Sequence, residues 1–597
     1  MSANLCVKGV PNMTIFNLIS MIGGLTFFLY GMNVMSSSLE KMAGGKLEEM
    51  LRKMTASPLL SLALGAVITI AVQSSSAVTV MLVGLVNSGI MSFVQTVHVV
   101  FGSNTGTTLT AWLTSLTGIE SSSFWMQMLK PINFSPILAF IGIGFIMLSK
   151  NDKKKTLGTI FVGFAILMFG MDVMSDAVSP LADMPQFGQL LIHFKNPIVG
   201  VLIGTLFTAA IQSSAASVGI LQALSLTGSI TYGMAFPIVM GQNIGTCVTA
   251  LISSIGTSAK AKRVACLHVV INTLCSVICL VVMMIGQAAI PSVAAKLNQA
   301  VQPWDIALLH TCFNIVATVT LMPFAKQLVK LVEALVKDKG GKAPASKVPM
   351  LDERLLRSPS VAVGESFHVS KEMCREAHEI LQESITLFEK FDPNMESNIL
   401  WMEDRLDDYE DQLGTYLVKL SSQALSNEDS HVVSKILHAI GDFERLGDHA
   451  CNLAEVAKEL YDKKITFSPQ AQQEIKVLTD ALQEILNLTA CAYDGDSIEL
   501  AAKVEPLEQV IDGLISKIRA NHIRRLQKGT CTIEGGFILA DLLNNYERVS
   551  DHCSNIAVAI IEVEHDSFDT HKYLNGVKYG NSVFNEVYEN YERKYAL

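Results

Sequence analysis

Between Met54 and Ile119, and again between Asn196 and Ala259, the chain has no aspartate, glutamate, lysine or arginine. Stretches of that length without a formal charge do not form the surface of a water-soluble domain. Charge is scarce overall, at 17% of 597 residues, while 50% are hydrophobic. That excludes an average soluble protein and, at this length, a single domain. The eleven cysteines contain no Cys-x-x-Cys pair, so neither a disulfide framework nor a zinc ribbon is expected. No small-residue cleavage site follows the first apolar run, which argues against a signal peptide. The charges that are present crowd into the part after about Leu351. Two domains follow, a membrane half and a soluble half expected in a reducing compartment.

Crossing hydrocarbon takes about 20 apolar residues as helix. Runs of that kind occur near 14–36, 94–116, 131–149, 156–177, 231–255, 264–290 and 303–325, which predicts seven crossings. Two further segments, 57–90 and 196–227, are broken by Gln73-Ser74-Ser75-Ser76 and by Gln212-Ser213-Ser214. Each half is about 22 Å long as helix, too short for a bilayer, so both are expected to be re-entrant hairpins.

An internal repeat holds one register throughout. Tyr30-Gly31-Met32-Asn33-Val34-Met35-Ser36 returns 139 residues later as Phe169-Gly170-Met171-Asp172-Val173-Met174-Ser175. The same offset carries Gly65 to Gly204, Gln73-Ser74-Ser75 to Gln212-Ser213-Ser214, and Asn104, Gly106 and Thr107 to Asn243, Gly245 and Thr246. Basic clusters at Lys41–Lys53, Lys150–Lys155, Lys260–Arg263 and Lys326–Lys342 mark cytoplasmic loops by the positive-inside rule. The N-terminus is then outside and the C-terminal half inside. The two copies have opposite orientation, an inverted repeat.

Inverted repeats with interrupted helices are the architecture of many secondary transporters, which hold substrate where the repeats meet. At a break the freed backbone groups cannot face lipid, so they line protein or water. The Gln, Ser, Thr and Asn concentrated there make a polar, uncharged site. Hydroxyl and amide donors, with helix N-termini, suit an oxyanion, and co-bound sodium on carbonyl and hydroxyl oxygens compensates its charge. Small residues at helix contacts are the plain alternative for any single patch, but two matched breaks, each followed by a matched Asn-x-Gly-Thr, argue for a site. Asp172, which replaces Asn33, reads equally as a sodium-related carboxylate or a solvated helix end. Two later helices share Ala-x-x-His-x-x-x-Asn, at Ala265, His268 and Asn272 and at Ala307, His310 and Asn314. Hydrogen bonding between helices is the favoured reading of that pair.

The Gln-Ser-Ser-Ser and Gly-Ser-Asn-Thr-Gly-Thr-Thr segments and their second copies resemble the type II sodium-phosphate cotransporter family, particularly its bacterial members, over about residues 14–330. The resemblance implies that Gln73, Ser74, Ser75, Ser76, Gln212, Ser213 and Ser214 lie in the substrate and sodium path, with Asn104, Thr107, Asn243 and Thr246 close by. One departure stands out: Ala215 occupies the position of Ser76 in the second copy, so unequal hairpins are expected.

Residues 337–360, with Gly340-Gly341 and three prolines, read as a linker. Beyond it the pattern is helical, as in 431–460, where Val433, Ile436, Ile440, Phe443, Ala450, Leu453, Ala457 and Leu460 form a stripe. Glu444-Arg445-x-x-Asp448-His449-x-x-Asn452 recurs 103 residues later as Glu547-Arg548-x-x-Asp551-His552-x-x-Asn555. Asp407 and Asp411 on the preceding helix match Glu508 and Asp512, giving two three-helix units. Solvated ion pairs explain one such run. Its duplication resembles the PhoU family, found alone and fused to these transporters. That resemblance implies Glu444, Asp448, Glu547 and Asp551 as ligands of iron, zinc or magnesium, with His449 and His552 as weaker candidates.

The expectation is therefore an all-α chain: a polytopic helical membrane domain with inverted repeats and two re-entrant hairpins, then a cytoplasmic PhoU-like bundle of two three-helix repeats. Its partners are inorganic phosphate, sodium and the lipid bilayer of the cell membrane, with no nucleic acid and with a homo-oligomer left open. Import and export remain alternatives, as does a phosphate sensor without turnover. An enzyme on phosphate esters is disfavoured, because the breaks carry no nucleophile-base pair.

Overall fold

The computed structural model describes residues 14–43, 57–89, 91–118, 128, 130–184, 196–337, 351–565 and 582–597. Among them there are helices and short 3-10 turns, one isolated β-bridge between Thr231 and Ala300, and no strand. The chain divides into two compact units. The first holds the described residues up to 337 together with 352–361, and the second holds Leu351 and the residues from Ala362 onward.

The first unit begins with α1 (Ile15–Ala43), α2 (Pro58–Val72), α3 (Ser75–Asn87) and α4 (Phe93–Ser115), then α5 (Pro131–Leu148) and α6 (Asp152–Val178). It continues with α7 (Pro197–Ile211), α8 (Ser214–Ser225), α9 (Tyr232–Ser253), α10 (Ala259–Ala289), α11 (Pro291–Leu297), α12 (Pro303–Leu321) and α13 (Ala325–Leu335). Six stretches are long and apolar enough to span a membrane: Ile15–Met42, Pro131–Leu148, Asp152–Ala182, Tyr232–Ser253, Ala259–Ala289 and Pro303–Leu335. This is a multi-pass membrane protein. The seventh expected crossing, α4, has 23 residues but carries Thr96, Ser103, Asn104, Thr107, Thr108 and Thr110, all buried. Its polar groups are tolerated because they face protein. Phe140, Met147 and Leu148 on α5 are among the most exposed large apolar residues, as suits a surface that meets acyl chains.

The 139-residue repeat reappears in the packing. A Cβ added at Gly65, Gly102 or Gly106 would lie 2.1, 1.9 and 2.6 Å from the carbonyl oxygens of Val99, Leu62 and Ala66. The second copy answers residue for residue, with Gly204, Gly241 and Gly245 against Ile238, Val201 and Thr205 at 2.2, 2.0 and 2.5 Å. Only glycine lets α2 approach α4, and α7 approach α9, this closely. Helices α1 and α6, themselves equivalent at that offset, pack antiparallel, with Gly24 against Gly170 and Gly31 against Gly163.

The second unit contains α14 (Pro359–Thr386), α15 (Pro393–Ser421), α16 (Asn427–Lys463), α17 (Pro469–Gly495), the single turn α18 (Ile498–Ala501), α19 (Val504–Gln527), α20 (Ile533–His565) and α21 (Ser582–Lys594). Side-chain caps start α15, α16, α17 and α18: Asp392, Ser426, Ser468 and Ser497 each accept a backbone N–H of the first turn. The expected stripe on α16 is its buried face, from Val433 to Ala457. The long, duplicated helices α16 and α20 pack against one another at the centre.

Candidate functional site

Each break is built the same way. Gln73 ends α2 and Gln212 ends α7 in the left-handed region, with φ of 55° and 57°. A non-glycine residue there costs about 1–3 kcal/mol and is held only by its surroundings. The following serine restarts the helix: Ser74 Oγ accepts from Ala77 N, and Ser213 Oγ from Ala216 N, both at 3.2 Å. In the first copy the chain turns by 120° between α2 and α3. The second helix of each pair thus begins at the break with its N-terminal N–H groups directed there.

The two breaks differ in what covers them. Gln73 is buried; its Oε1 accepts from Thr110 Oγ1 at 2.8 Å and its Nε2 donates to Ile70 O at 2.5 Å. Ser36 on α1 donates to the carbonyl of Val72, one of the acceptors the break sets free. In the second copy Gln212 is exposed, Ser213 and Ser214 are half-buried, and Thr249, at the position of Thr110, holds a buried hydroxyl without a partner. Sequence reasoning missed Thr110 and Thr249. The repeat register marks them, since 110 and 249 also differ by 139.

The repeats cross at this level. Ser76 Oγ donates to Thr246 O at 3.3 Å, so the first break reaches the Asn-x-Gly-Thr helix of the second copy. Reciprocally, α8 packs on α4, where Gln222 Nε2 donates to Ala111 O at 2.9 Å. Ser75 is buried, and its carbonyl accepts from Thr79. Thr107 and Thr246 turn their hydroxyls back onto Ser103 O and Gln242 O.

Asn104 and Asn243 are held by the two His-Asn motifs. His268 Nε2 contacts Asn104 Oδ1 at 3.0 Å while Asn104 Nδ2 donates to Asn272 Oδ1 at 2.9 Å. In the other copy His310 Nε2 contacts Asn243 Oδ1 at 3.3 Å, and Asn314 Nδ2 donates to the same oxygen at 3.4 Å. Asn272 Nδ2 joins the two sets by donating to Asn243 O at 3.1 Å. These carboxamides bond between helices, the reading favoured for the motif. The sets differ in the direction of the Asn-to-Asn bond and at the ring: His268 Nδ1 reaches Thr79 Oγ1 at 3.5 Å, while His310 Nδ1 has no partner. Val218 stands at the position of Thr79 in the second copy and offers no hydroxyl.

In the second unit a pocket of about 780 Å³ is lined by Glu444, Arg445, Asp448, His449, Glu505, Glu508, Arg548, Asp551 and His552, among others. Its two halves interlock: His449 Nδ1 meets Asn545 Oδ1 at 2.9 Å, and His552 Nδ1 meets Asp442 Oδ1 at 2.7 Å, positions related by the 103-residue offset. Burial first, then Asp448 and Asp407, push the Glu444 carboxyl above its ordinary range. Burial and then Asp551 and Glu547 do the same to Asp512. Burial lowers His449. Of the expected ligands, Glu444, Asp448 and Asp551 line this pocket. Among the described residues no three His, Cys, Asp or Glu side chains are placed to hold one. Glu547 is drawn to Arg519 at 2.8 Å, and Asp551 to Arg548 at 3.1 Å. The duplicated charges serve ion pairs as well as lining the pocket.

Comparison with known proteins gives two family matches. The Na+/Pi-cotransporter family matches residues 27–176 and 166–290, and the PhoU domain matches residues 370–457 and 475–560. The "Uncharacterized protein YqeW" of Bacillus subtilis (strain 168) is 30% identical over 324 residues, 54% of this chain and 99% of its own. The "Putative inorganic phosphate export protein YjbB" of Escherichia coli (strain K12) is 21% identical over 555 residues, 91% of this chain and 97% of its own. The "Phosphate-specific transport system accessory protein PhoU homolog 1" of Thermotoga maritima is 24% identical over 204 residues, 34% of this chain and 86% of its own.

Proposed function

Because this chain belongs to the Na+/Pi-cotransporter family and carries PhoU domains in its C-terminal half, we propose that it couples the passage of inorganic phosphate across the cell membrane to sodium, by alternating exposure of a site between two inverted repeats. The observation that carries this reading is the bond from Ser76 to Thr246. It brings one interrupted helix against the Asn-x-Gly-Thr helix of the other copy, the kind of repeat interface at which carriers bind solute.

The chemistry of the breaks fits the cargo. Gln73, Ser74, Ser75 and Ser76, with Gln212, Ser213 and Ser214, offer hydroxyl and amide groups and no fixed charge. The N-terminal N–H groups of α3 and α8 favour an anion. A multivalent oxyanion in such surroundings requires compensation, which sodium on carbonyl and hydroxyl oxygens supplies, with Thr107, Thr246, Asn104 and Asn243 nearby. Sodium then moves with phosphate because each lowers the cost of burying the other. The basic clusters put the N-terminus outside and the PhoU-bearing half in the cytoplasm, where it regulates flux.

Outward transport is the second reading, supported by relatives that span 91% of this chain and are named for phosphate export. Both readings are tested by reconstituting the chain in liposomes and measuring labelled phosphate under imposed sodium gradients. Flux that follows the sodium gradient supports coupling, and its preferred sign gives direction. Phosphate binding with no flux under any gradient would establish a sensor instead.

A further inference from the structure

We propose that residues 352–357 form a strap that restrains turnover by joining the two repeats at one end of the membrane unit; the inference rests on the transport reading above. The sequence predicts a linker here. Instead, Glu353–Arg357 form a 3-10 turn packed into the first unit, with Asp352 only 6% exposed and Leu355 fully buried.

The strap grips two helices directly and reaches a third through Asn87. Asp352 caps the turn by accepting from Arg354 N at 2.8 Å, and its other oxygen accepts from Asn87 Nδ2 at 2.7 Å. Asn87 is the last residue of α3, and its Oδ1 accepts from the backbone N–H of Ser258, the N-cap of α10, at 2.9 Å. Arg354, ion-paired with Asp352 at 2.9 Å, donates from Nε to Ser253 O at 2.6 Å and from Nη2 to Ile255 O at 3.0 Å. Those carbonyls lie at the C-terminal end of α9, where a helix leaves acceptors unpaired and its dipole favours a cation. Leu355 sits against Gly84 of α3: a Cβ there would lie 3.0 Å from Leu355 Cδ2.

Helix α3 belongs to the first copy of the repeat and α9 to the second. Alternating exposure requires the copies to move relative to each other, and one short segment bonded to both opposes that motion. Its bonds are charge-assisted and partly buried, so opening them is costly. Immediately after the strap, Pro359 begins α14, a continuous helix that leads the chain into the second unit. The strap is thus the ordered element of the carrier that precedes the PhoU-bearing half along the chain, and that half acts by seating or releasing it.

The test uses the full chain in liposomes with a sodium gradient and labelled phosphate. Gly84→Cys and Leu355→Cys are introduced after the native cysteines are replaced, and are joined by a short reducible thiol cross-linker. Uptake is expected to be lost on joining and restored on reduction. Separately, Arg354→Ala in the otherwise native chain is expected to raise the initial rate severalfold. Uptake indifferent to the cross-link overturns the strap while leaving the transport reading intact. Because cross-linking keeps Asp352 and Arg354 in place, this holds even where Arg354→Ala fails to fold. Absence of uptake from the uncross-linked parent under every gradient overturns the transport reading, and the strap with it.

Discussion

Ser76 donates a hydrogen bond across the repeats to the carbonyl of Thr246 at 3.3 Å, and the position that would form the reciprocal bond is Ala215. The two halves of the proposed carrier are therefore joined by different groups: the first hairpin is tied to the opposite copy by the Ser76 hydroxyl, and the second by the Gln222 carboxamide, which donates to Ala111 O at 2.9 Å.

Ser76→Ala removes the first tie. An interhelical hydrogen bond in a membrane protein is worth about 0.6 kcal/mol on average, roughly a threefold effect on an equilibrium. The initial rate of sodium-driven phosphate flux is expected to change by about that factor, while Ala215→Ser, which breaks no bond, leaves it unaltered. Equal effects of the two substitutions would show that the Ser76 contact carries no weight.

Thr110 and Thr249 separate in the same way. Thr110→Val strands the buried Oε1 of Gln73, at a cost of about 1–3 kcal/mol, whereas Thr249→Val removes a hydroxyl that has no partner. Thermal unfolding of the full chain in detergent should show a lowered midpoint for the first and an unchanged or raised one for the second. The opposite order would contradict the assignment of a covered and an open break.

The close helix pairs admit no side chain. Gly102→Ala and Gly241→Ala each place a methyl about 2 Å from a carbonyl oxygen, and overpacking of this kind costs at least about 1–3 kcal/mol. Both are expected to reduce the yield of folded protein sharply. Gly144→Ala on α5, where nothing lies within 4 Å, should be neutral, and size-exclusion profiles of the three variants check this.

In the second unit, burial and like charge raise the folded-state pKa values of Glu444 and Asp407. A carboxyl whose pKa is raised on folding binds its proton more tightly folded than unfolded. Its contribution to stability is therefore favourable below the ordinary carboxylate range and is lost as pH rises through the folded value. Glu444→Gln should raise the thermal midpoint at pH 7 and flatten the dependence on pH above the ordinary carboxylate range. A lowered midpoint at pH 7 would show instead that the Glu444 carboxylate is held by a compensating cation.

Much of this arrangement was legible in the residues. The 139-residue register located both breaks, and the same register reappears as six matched glycine contacts, because close helix approach demands glycine at fixed positions. The His-Asn motifs were correctly read as bonding between helices. What the pattern could not supply was state. Gln73 and Gln212 are identical in type and backbone conformation, yet one is covered and the other open, a difference set by tertiary packing. The strap was read as a linker because Asp352, Arg354 and Leu355 have no periodicity within so short a segment, and their partners at Asn87, Ser253 and Gly84 lie far away in sequence. In the acidic repeat the pairing of Glu547 with Arg519 was not legible, because Arg519 lies on the preceding helix and outside the repeated motif.

The most direct measurement is phosphate flux through Gln73→Ala and Gln212→Ala, each reconstituted as folded protein beside the parent under the same sodium gradient. If the interrupted helices form the path, both variants lose sodium-dependent flux. Flux at the parent's rate in both would mean that phosphate passes elsewhere, and the proposed site would be wrong.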